Sequence, residues 1–235
     1  MNTLSVKECL SFGWKTYWAR PWLFVLAGVV VFLVNILFSV PQGVLDFVAE
    51  SMKGTPGVAM LSLFILIVTF IGFIVSVYVQ IGTTRFFLKA HDDVTAAQIR
   101  DLIYLKGFWR YVGASILVTL AVVAGLILLI IPGIIVALAL TFALYLVVDK
   151  ELGPLESFKQ SFVLTKGHRW RLLLLSFAVV GINILGFLAL VVGLFVTVPV
   201  SMLVMAHAYR VLSAPAPGTA AENVPVVTAD PVAAA

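Results

Sequence analysis

The sequence predicts an all-α, polytopic membrane protein with six transmembrane helices as three hairpins, each preceded by a cytoplasmic-face amphipathic helix. Of its 235 residues, 62% are hydrophobic and 11% are charged, whereas soluble domains carry about a quarter charged residues. The apolar residues fall in four uncharged blocks, 22–40, 58–81, 111–148 and 172–206. Uncharged apolar runs of about eighteen residues or more are typical of transmembrane helices. None of the blocks alternates between polar and apolar residues, as the strands of a transmembrane barrel would.

The two longest blocks are deeper than a bilayer and must fold back. As one helix, residues 111–148 would form a rod of about 57 Å at about 1.5 Å per residue, but the apolar core of a bilayer is about 30 Å thick. Pro132 and Gly133 are the natural turn, because proline removes a backbone donor and glycine accepts the dihedral angles of a tight turn. In the last block, Gly193 and Pro199 compete for the turn. The predicted spans are 22–41, 57–82, 110–131, 133–149, 170–192 and 194–212.

An internal repeat favours Gly193 as the last turn. Trp109 precedes Pro132 by 23 residues (132 − 109), and Trp170 precedes Gly193 by the same number (193 − 170). Three copies of one unit, made of a surface helix, an interfacial tryptophan and a two-helix hairpin, would make Pro199 a kink inside the last helix. Coincidence of the two offsets is the alternative explanation.

The predicted organisation is a single membrane domain followed by a tail. The tail is rich in Ala, Pro, Val and Thr and has no helical period, which is typical of disorder. The domain covers residues 1–212, with repeats 4–88, 95–149 and 154–212, and the disordered cytoplasmic tail covers 213–235.

The basic residues predict the orientation in the membrane. If both termini lie on one side, fourteen of the fifteen lysines and arginines lie there too, and only Lys53 lies opposite. Cytoplasmic loops carry an excess of these residues, so we expect a bacterial cytoplasmic (inner) membrane protein with both termini in the cytoplasm. The first apolar block has no small-residue cleavage site and is longer than the core of a signal peptide, so we expect it to be a retained span.

Three stretches outside the spans are predicted to be helices on the inner leaflet. Thr95 and Gln98 have capping-box spacing, and Pro154 suits a first helical position. The apolar residues of the three stretches are Val6, Leu10, Trp14 and Trp18; Ile99, Leu102 and Ile103; and Leu155, Phe158 and Phe162. Such helices bury an apolar face at the headgroup boundary. They either recognise lipid headgroups or only anchor the hairpins.

The candidate site is the basic, tryptophan-rich face at this boundary. Indole rings anchor at the level of the headgroups, and each basic side chain there gains on the order of 1 kcal/mol from the membrane surface potential. The predicted contacts are Trp14, Trp18, Trp22, Trp109, Arg110, Lys166, Arg169, Trp170 and Arg171. The expected partners are membrane lipids with anionic headgroups and a protein in the membrane, and no nucleic acid.

The sequence predicts no enzyme. The four apolar blocks contain no Asp, Glu, Lys, Arg or His, and such residues mark proton and ion relays in membranes. The three histidines have no metal-binding spacing, the single Cys9 cannot form an internal disulfide, and Asp149 is expected in a solvated helix end. We therefore predict no catalytic residue, no cofactor and no metal site.

Two asparagines are the main polar side chains within the spans. Asn35 lies thirteen residues after Trp22 (35 − 22), and Asn183 lies thirteen after Trp170 (183 − 170). An asparagine in a span more often hydrogen-bonds a neighbouring helix than binds a substrate. The alternative is that the two line an intramembrane cavity.

The stretch from Ile131 to Trp170 resembles a known family. The matching elements are the Pro132-Gly133 turn, the helix start Gly153-Pro154-Leu155, Ser161, the segment Leu164-Thr165-Lys166-Gly167, and Trp170. They resemble the membrane domain fused to some glycerophosphoryl diester phosphodiesterases and a group of uncharacterised six-helix bacterial inner-membrane proteins. The resemblance is strongest over 130–210. It implies architecture and no catalytic residue, because the phosphodiesterase site belongs to a soluble barrel for which this chain has no room.

The function expected from these features is that of a non-enzymatic integral membrane module. It would bind lipid or a partner protein through the basic, tryptophan-rich face. The alternative is a passive carrier or channel for an uncharged or amphipathic solute or lipid, with a cavity near Asn35 and Asn183.

Overall fold

The computed structural model describes residues 4–53, 57–104, 106–189 and 193–214. Within these ranges the chain is helical and contains no strand. The helices are α1 (Val6–Ala19), α2 (Pro21–Ser51), α3 (Val58–Asp92), a 3₁₀ helix (Ile99–Leu102), α4 (Phe108–Leu128), α5 (Ile130–Ala139), α6 (Ala143–Lys150), α7 (Pro154–Leu164), α8 (Arg169–Leu188) and α9 (Leu194–Ser213). The tail was predicted to be disordered, and its residues from 215 onwards lie outside the described ranges.

Six helical segments of the described part of the chain are long and apolar enough to cross a membrane, in agreement with the predicted number. They are Pro21–Ser51, Ala59–Asp92, Phe108–Leu128, Ile130–Lys150, Arg169–Leu188 and Leu194–Ser213. The fourth combines α5 and α6 across a short break. The threefold repeat remains a prediction.

Helix α2 is longer than predicted. It continues through Pro41 to Ser51, so the loop expected over 42–56 is wrong at least as far as residue 51. Apolar residues continue beyond Pro41, and a proline is tolerated within a membrane helix because neighbouring groups can satisfy the freed carbonyl. At about 1.5 Å per residue, α2 is about 46 Å long, well beyond the apolar core of a bilayer.

The break between α4 and α5 lies at Leu129 and not at the predicted Pro132-Gly133. Leu129 is extended, with φ −169° and ψ 152°, and Pro132 is the third residue of α5. A proline fits there because the first amides of a helix have no intrahelical acceptor. Gly133 serves close packing, since a Cβ on Gly125 of α4 would lie 2.9 Å from the Gly133 Cα.

The break in the last apolar block agrees with the choice of Gly193. Helix α8 ends at Leu188 and α9 begins at Leu194, directly after Gly193. Pro199 lies inside α9, as predicted. Residues 190–192, between the two helices, lie outside the described ranges.

The buried core lies at one end of the spans, which we call the packed end. It joins α1 to the first two turns of α2 and α8, to the last turns of α3, to Leu138, Phe142 and Leu146 around the α5–α6 break, and to residues 200–209 of α9. Its largest fully buried side chains include Tyr209, Phe24, Phe86 and Phe142. Away from the packed end, large apolar side chains such as Phe64, Phe70, Ile127 and Phe187 are exposed. Soluble monomers rarely expose apolar patches of this extent.

Two of the three stretches predicted to be surface helices are α-helical, and the middle one is not. Helices α1 and α7 span the first and last stretches. The middle stretch has only the 3₁₀ helix Ile99–Leu102. Its capping box pairs Gln98 with Asp101 and not Thr95 with Gln98, because the helix begins after Gln98 and the Asp101 carboxylate reaches back to the Gln98 amide.

Candidate functional site at the packed end

Three exposed tryptophans occupy equivalent positions at the packed end. Trp22, Trp109 and Trp170 are the second residues of α2, α4 and α8, and they are 78%, 81% and 71% exposed. Each indole therefore stands free at the point where an apolar helix begins. Tryptophan favours this position in membrane proteins, since its ring is apolar and its N–H needs a polar partner.

The other two tryptophans project from α1. Helix α1 buries Cys9, Gly13, Thr16 and Tyr17 and packs against α9. A Cβ on Gly13 would lie 2.6 Å from Val204 Cγ2, so the two helices are in close contact there. Trp14 and Trp18 lie outside this contact, both exposed, with their rings edge to face at 5.8 Å. Of the predicted apolar stripe, Val6 and Leu10 are half-buried and the two indoles remain free.

The predicted basic contacts fall into two groups. Lys166, Arg169 and Arg171 lie around the start of α8, where Lys166 and Arg171 are exposed and the Arg169 guanidinium lies 4.4 Å from the centre of the Phe162 ring. Arg110, on α4, donates from Nη1 to the Glu151 carbonyl oxygen at 2.8 Å. Glu151 has a left-handed backbone, with φ 52°, so this bond ties an unusual helix end of α6 to the start of α4.

Helix α7 packs on the rest of the protein through its serine side chains, and the position of its apolar stripe at a membrane stays a prediction. Leu155 and Phe162 of its predicted apolar stripe are exposed, whereas Ser157 and Ser161 are buried. The Ser161 and Thr165 hydroxyls both donate to the Ala139 carbonyl oxygen, at 2.9 and 3.1 Å. That carbonyl is the last of α5, where the helix breaks and leaves an acceptor without an intrahelical donor. The two hydroxyl residues of the recognised motif therefore stabilise the α5–α6 break.

The segment between α3 and α4 is fixed by charged side chains. Lys89 donates to both carboxylate oxygens of Asp101, at 2.8 and 2.9 Å. Burial opposes ionisation of Asp101, but the Lys89 and Gln98 hydrogen bonds outweigh it and lower the pKa of the carboxyl. Hydrogen bonds from the Thr95 hydroxyl and amide likewise lower the pKa of the Asp93 carboxyl. Nearby, the Arg85 guanidinium lies 3.8 Å from the centre of the Tyr104 ring.

Two cavities between α3 and α4 meet at one residue. The first, about 280 Å³, is lined by Tyr104, Lys106, Arg110 and Glu151 among others. The second, also about 280 Å³, lies along α3 and α4 and combines hydroxyl and apolar side chains. Tyr111 lines both cavities, and its hydroxyl donates to Gln80 Oε1 at 3.1 Å. The first cavity is also lined by Val147 and Val148 of α6, so Tyr111 forms a wall common to a charged cavity and a more apolar one; we call the two cavities together the α3–α4 cleft.

The two span asparagines have different hydrogen-bond partners. Asn183 donates to the Ser201 hydroxyl at 2.7 Å and so joins α8 to α9. Asn35 is exposed and donates to the Val31 carbonyl of its own helix at 2.7 Å. It lines an apolar cleft of about 350 Å³ between α2, α3 and α9 that does not include Asn183.

An ion-pair network at the packed end was not predicted. Arg210 donates to Asp92 from Nε and Nη2, at 3.0 and 2.6 Å, and to Asp149 from Nη1 at 2.9 Å. Tyr209 donates to the same Asp149 oxygen at 2.8 Å. The Asp149 side chain is only 17% exposed, so the expectation of a solvated helix end is wrong for this residue. The Arg210–Asp92 and Arg210–Asp149 pairs lie 118 and 61 residues apart in the sequence, which is why no local pattern revealed them.

A histidine pair adjoins this network. His91 Nδ1 lies 3.0 Å from Asp92 Oδ1, and His91 Nε2 lies 3.0 Å from His207 Nδ1. Phe12 of α1 stacks on His207 with ring centres 4.2 Å apart. The described residues contain no group of three His, Cys, Asp or Glu side chains placed to hold a metal ion.

Comparison with known proteins gives one match. A family model described as "Protein of unknown function (DUF975)" matches residues 110–216, just under half of the chain. The matched range contains the motif residues from Pro132 to Trp170, and a family without a known function agrees with the uncharacterised group expected from them. The resemblance to the membrane domain of phosphodiesterases remains a prediction. The comparisons with curated proteins and with solved structures gave no match.

Proposed function

We propose that the chain is a non-enzymatic module of the bacterial cytoplasmic membrane that binds anionic lipid at its packed end. In this proposal the six spans form three hairpins, both termini face the cytoplasm, and α1 and α7 lie at the inner leaflet. Contacts between α2 and α3, α4 and α5, and α8 and α9 support the hairpins.

The observation that carries the proposal is the repeated placement of a free indole at a helix start. Trp22, Trp109 and Trp170 each stand at that position, and Arg110, Lys166 and Arg171 lie exposed nearby in the sequence. Indole rings favour the headgroup level, and basic side chains beside them attract anionic lipid. Helix α1 adds Trp14 and Trp18 to the same end of the molecule.

Lipid retention tests the proposal. Protein reconstituted in an equal mixture of phosphatidylglycerol and phosphatidylcholine should retain an excess of phosphatidylglycerol in native mass spectrometry. The triple variant K166Q/R169Q/R171Q should reduce this excess, by up to about fivefold per removed charge. K53Q is the matched control, because Lys53 is exposed, forms an ion pair with Glu50 three residues before it and lies beyond the end of α2 that is opposite the packed end. Equal retention of the two lipids by the unmodified protein would refute lipid binding, and a co-purified protein would favour docking of a partner on this face.

A passive carrier for an uncharged or amphipathic solute is the second candidate. The apolar cleft that contains Asn35 supports it, whereas the bond between Asn183 and Ser201 gives Asn183 a helix-joining role. A carrier requires that Asn35→Leu slow lipid or solute transfer in proteoliposomes. Unchanged transfer would exclude a pathway through this cleft.

A further inference from the structure

We propose that the cleft between α3 and α4 is a specific site for one anionic diacyl phospholipid, with its phosphate at Lys106 and Arg110. Its ester carbonyls would lie at Gln80 and Tyr111, and one acyl chain would follow the groove beyond them. The inference rests on the proposed function and names its ligand and its site.

The charged cavity fits a phosphodiester. Lys106 is exposed, and within the described residues its ammonium has no ion-pair or hydrogen-bond partner. Arg110 uses Nη1 for the Glu151 carbonyl, which leaves its Nε and Nη2 groups free. Arg85 stacks on Tyr104, one of the side chains that line this cavity. An anion in the cavity would face two cationic side chains, Lys106 and Arg110, and one carboxylate.

The carboxylate of Glu151 does not cancel this charge. It lies 3.8 Å from Arg110 Nη1 and is 63% exposed, and an exposed pair at this distance contributes little. The Tyr104 hydroxyl donates to Glu151 Oε1 at 3.0 Å and so holds the carboxylate at one wall. A monoanionic phosphodiester can therefore bind to Lys106 and to the remaining donors of Arg110.

The middle of the cleft supplies donors. Gln80 accepts from Tyr111 through Oε1, so its Nε2 carries two N–H groups that have no acceptor among the described residues. Gln80 is exposed. It lies in α3 one helical turn before Thr84, which is near the packed end. Ester carbonyls of a diacyl lipid are acceptors and offer no donor. The amide therefore matches the glycerol ester region of a phospholipid.

The inner part of the cleft suits an acyl chain. Its cavity is lined by Phe73, Val77, Ile116 and Leu120, with the hydroxyls of Ser76, Ser115 and Thr119 between them. The Ser76 hydroxyl is already bonded to the Phe73 carbonyl at 2.8 Å. From Arg110 to Leu120 the helix advances about 15 Å, which is half the apolar thickness of a bilayer. A lipid of one leaflet can thus reach from the basic cavity to the end of the groove.

Photo-crosslinking tests the site in the unmodified protein. Phosphatidylglycerol with a diazirine at mid-chain, incorporated in lipid nanodiscs, should attach to peptides that contain residues 73–80 and 112–120. Attachment confined to other spans would overturn the proposal. Soluble glycerol phosphate at millimolar concentration should not reduce the crosslink, and displacement by it would reassign the charged cavity to a free phosphate.

Variants separate this site from general lipid binding. K106Q/R110Q should reduce retention of phosphatidylglycerol about five- to tenfold. Gln80→Leu should abolish a preference for diester over diether phosphatidylglycerol, because only the diester has carbonyl acceptors. Unchanged retention in K106Q/R110Q, together with reduced retention in K166Q/R169Q/R171Q, would overturn this site and leave the proposed function intact. Equal retention of anionic and zwitterionic lipid by the unmodified protein would refute both.

Discussion

At the scale of single residues, the environment of Cys9 sets its chemistry. Its side chain is 1% exposed within the core of the packed end. Burial, and secondarily the charge of Glu8, raises the pKa of the thiol from 9.0 to about 11. Because the thiolate is the reactive form, a shift of two pH units lowers its population about a hundredfold at neutral pH.

We therefore expect alkylation of Cys9 by iodoacetamide at pH 8 to be at least about a hundredfold slower than alkylation of an exposed thiol. Lys15→Cys in a Cys9→Ser background is the matched control, since Lys15 lies on the exposed side of the same helix. The rate for Cys9 should rise as the pH approaches about 11 and after unfolding. Equal rates for the two thiols in the folded protein would contradict the packing of α1 on α9.

Other residues show how far local sequence reasoning reaches. The exposure of Trp22, Trp109 and Trp170 follows from their position at the starts of apolar helices, which the sequence displays directly. The paired roles of Asp149 and Arg210 depend on two distant segments that meet only in the folded core. Asn35 and Asn183 look equivalent in the sequence, yet only Asn183 has a hydroxyl on a neighbouring helix within reach. The two asparagines therefore differ in role because different hydrogen-bond acceptors lie within their reach.

At the scale of elements, Gly82 permits the contact between α3 and the segment that follows it. A Cβ at this position would lie 1.8 Å from the Leu102 carbonyl oxygen, a separation that no side chain can adopt. The 3₁₀ helix can therefore pack on α3 only over a glycine. Since Leu102 also lines the apolar cleft of α2, α3 and α9, this contact helps to shape that cleft.

Gly82→Ala should destabilise the protein by about 1–3 kcal/mol, because the segment must move away from α3. Gly181→Ala is the matched control: Gly181 lies within α8, and a Cβ there would meet no atom within 4 Å. Alanine is a better helix former than glycine, so the control should be neutral or stabilising by up to about 1 kcal/mol. Unfolding in mixed micelles measures both variants. Equal stability of the two would show that the segment does not pack on α3.

Element boundaries were predicted less well than element number, for a physical reason. The number of spans follows from comparing the length of each apolar block with the thickness of a bilayer, and the two lengths differ by large amounts. The position of a break depends on a few residues: Pro132 is compatible with both a turn and a first helical turn, and Leu129 carries no turn signal. Likewise, the first predicted span ended at residue 41, but the chain continues beyond Pro41 as α2.

At the scale of the whole molecule, charge and packing are distributed together. The buried core lies at one end of the spans, and fourteen of the fifteen lysines and arginines belong to elements or connections at that end. Lys53, the remaining one, follows the far end of α2. The long, largely exposed apolar segments between these ends suit a lipid environment, because lipid leaves such side chains without a hydrophobic penalty. In the proposed topology, this bias of basic residues places the packed end in the cytoplasm.

Labelling of single cysteines in intact bacterial cells measures this orientation. In a Cys9→Ser background, Lys53→Cys should react with a membrane-impermeant maleimide that has been admitted to the periplasm, because residue 53 is exposed beyond α2. Lys15→Cys and Lys150→Cys, both exposed at the packed end, should react only after the inner membrane is permeabilised. Because the three sites are all exposed, differences in reactivity report the side of the membrane and not burial. Labelling of residue 15 or 150 in intact cells would place the packed end in the periplasm. The protein could then not bind lipids of the cytoplasmic leaflet through this end.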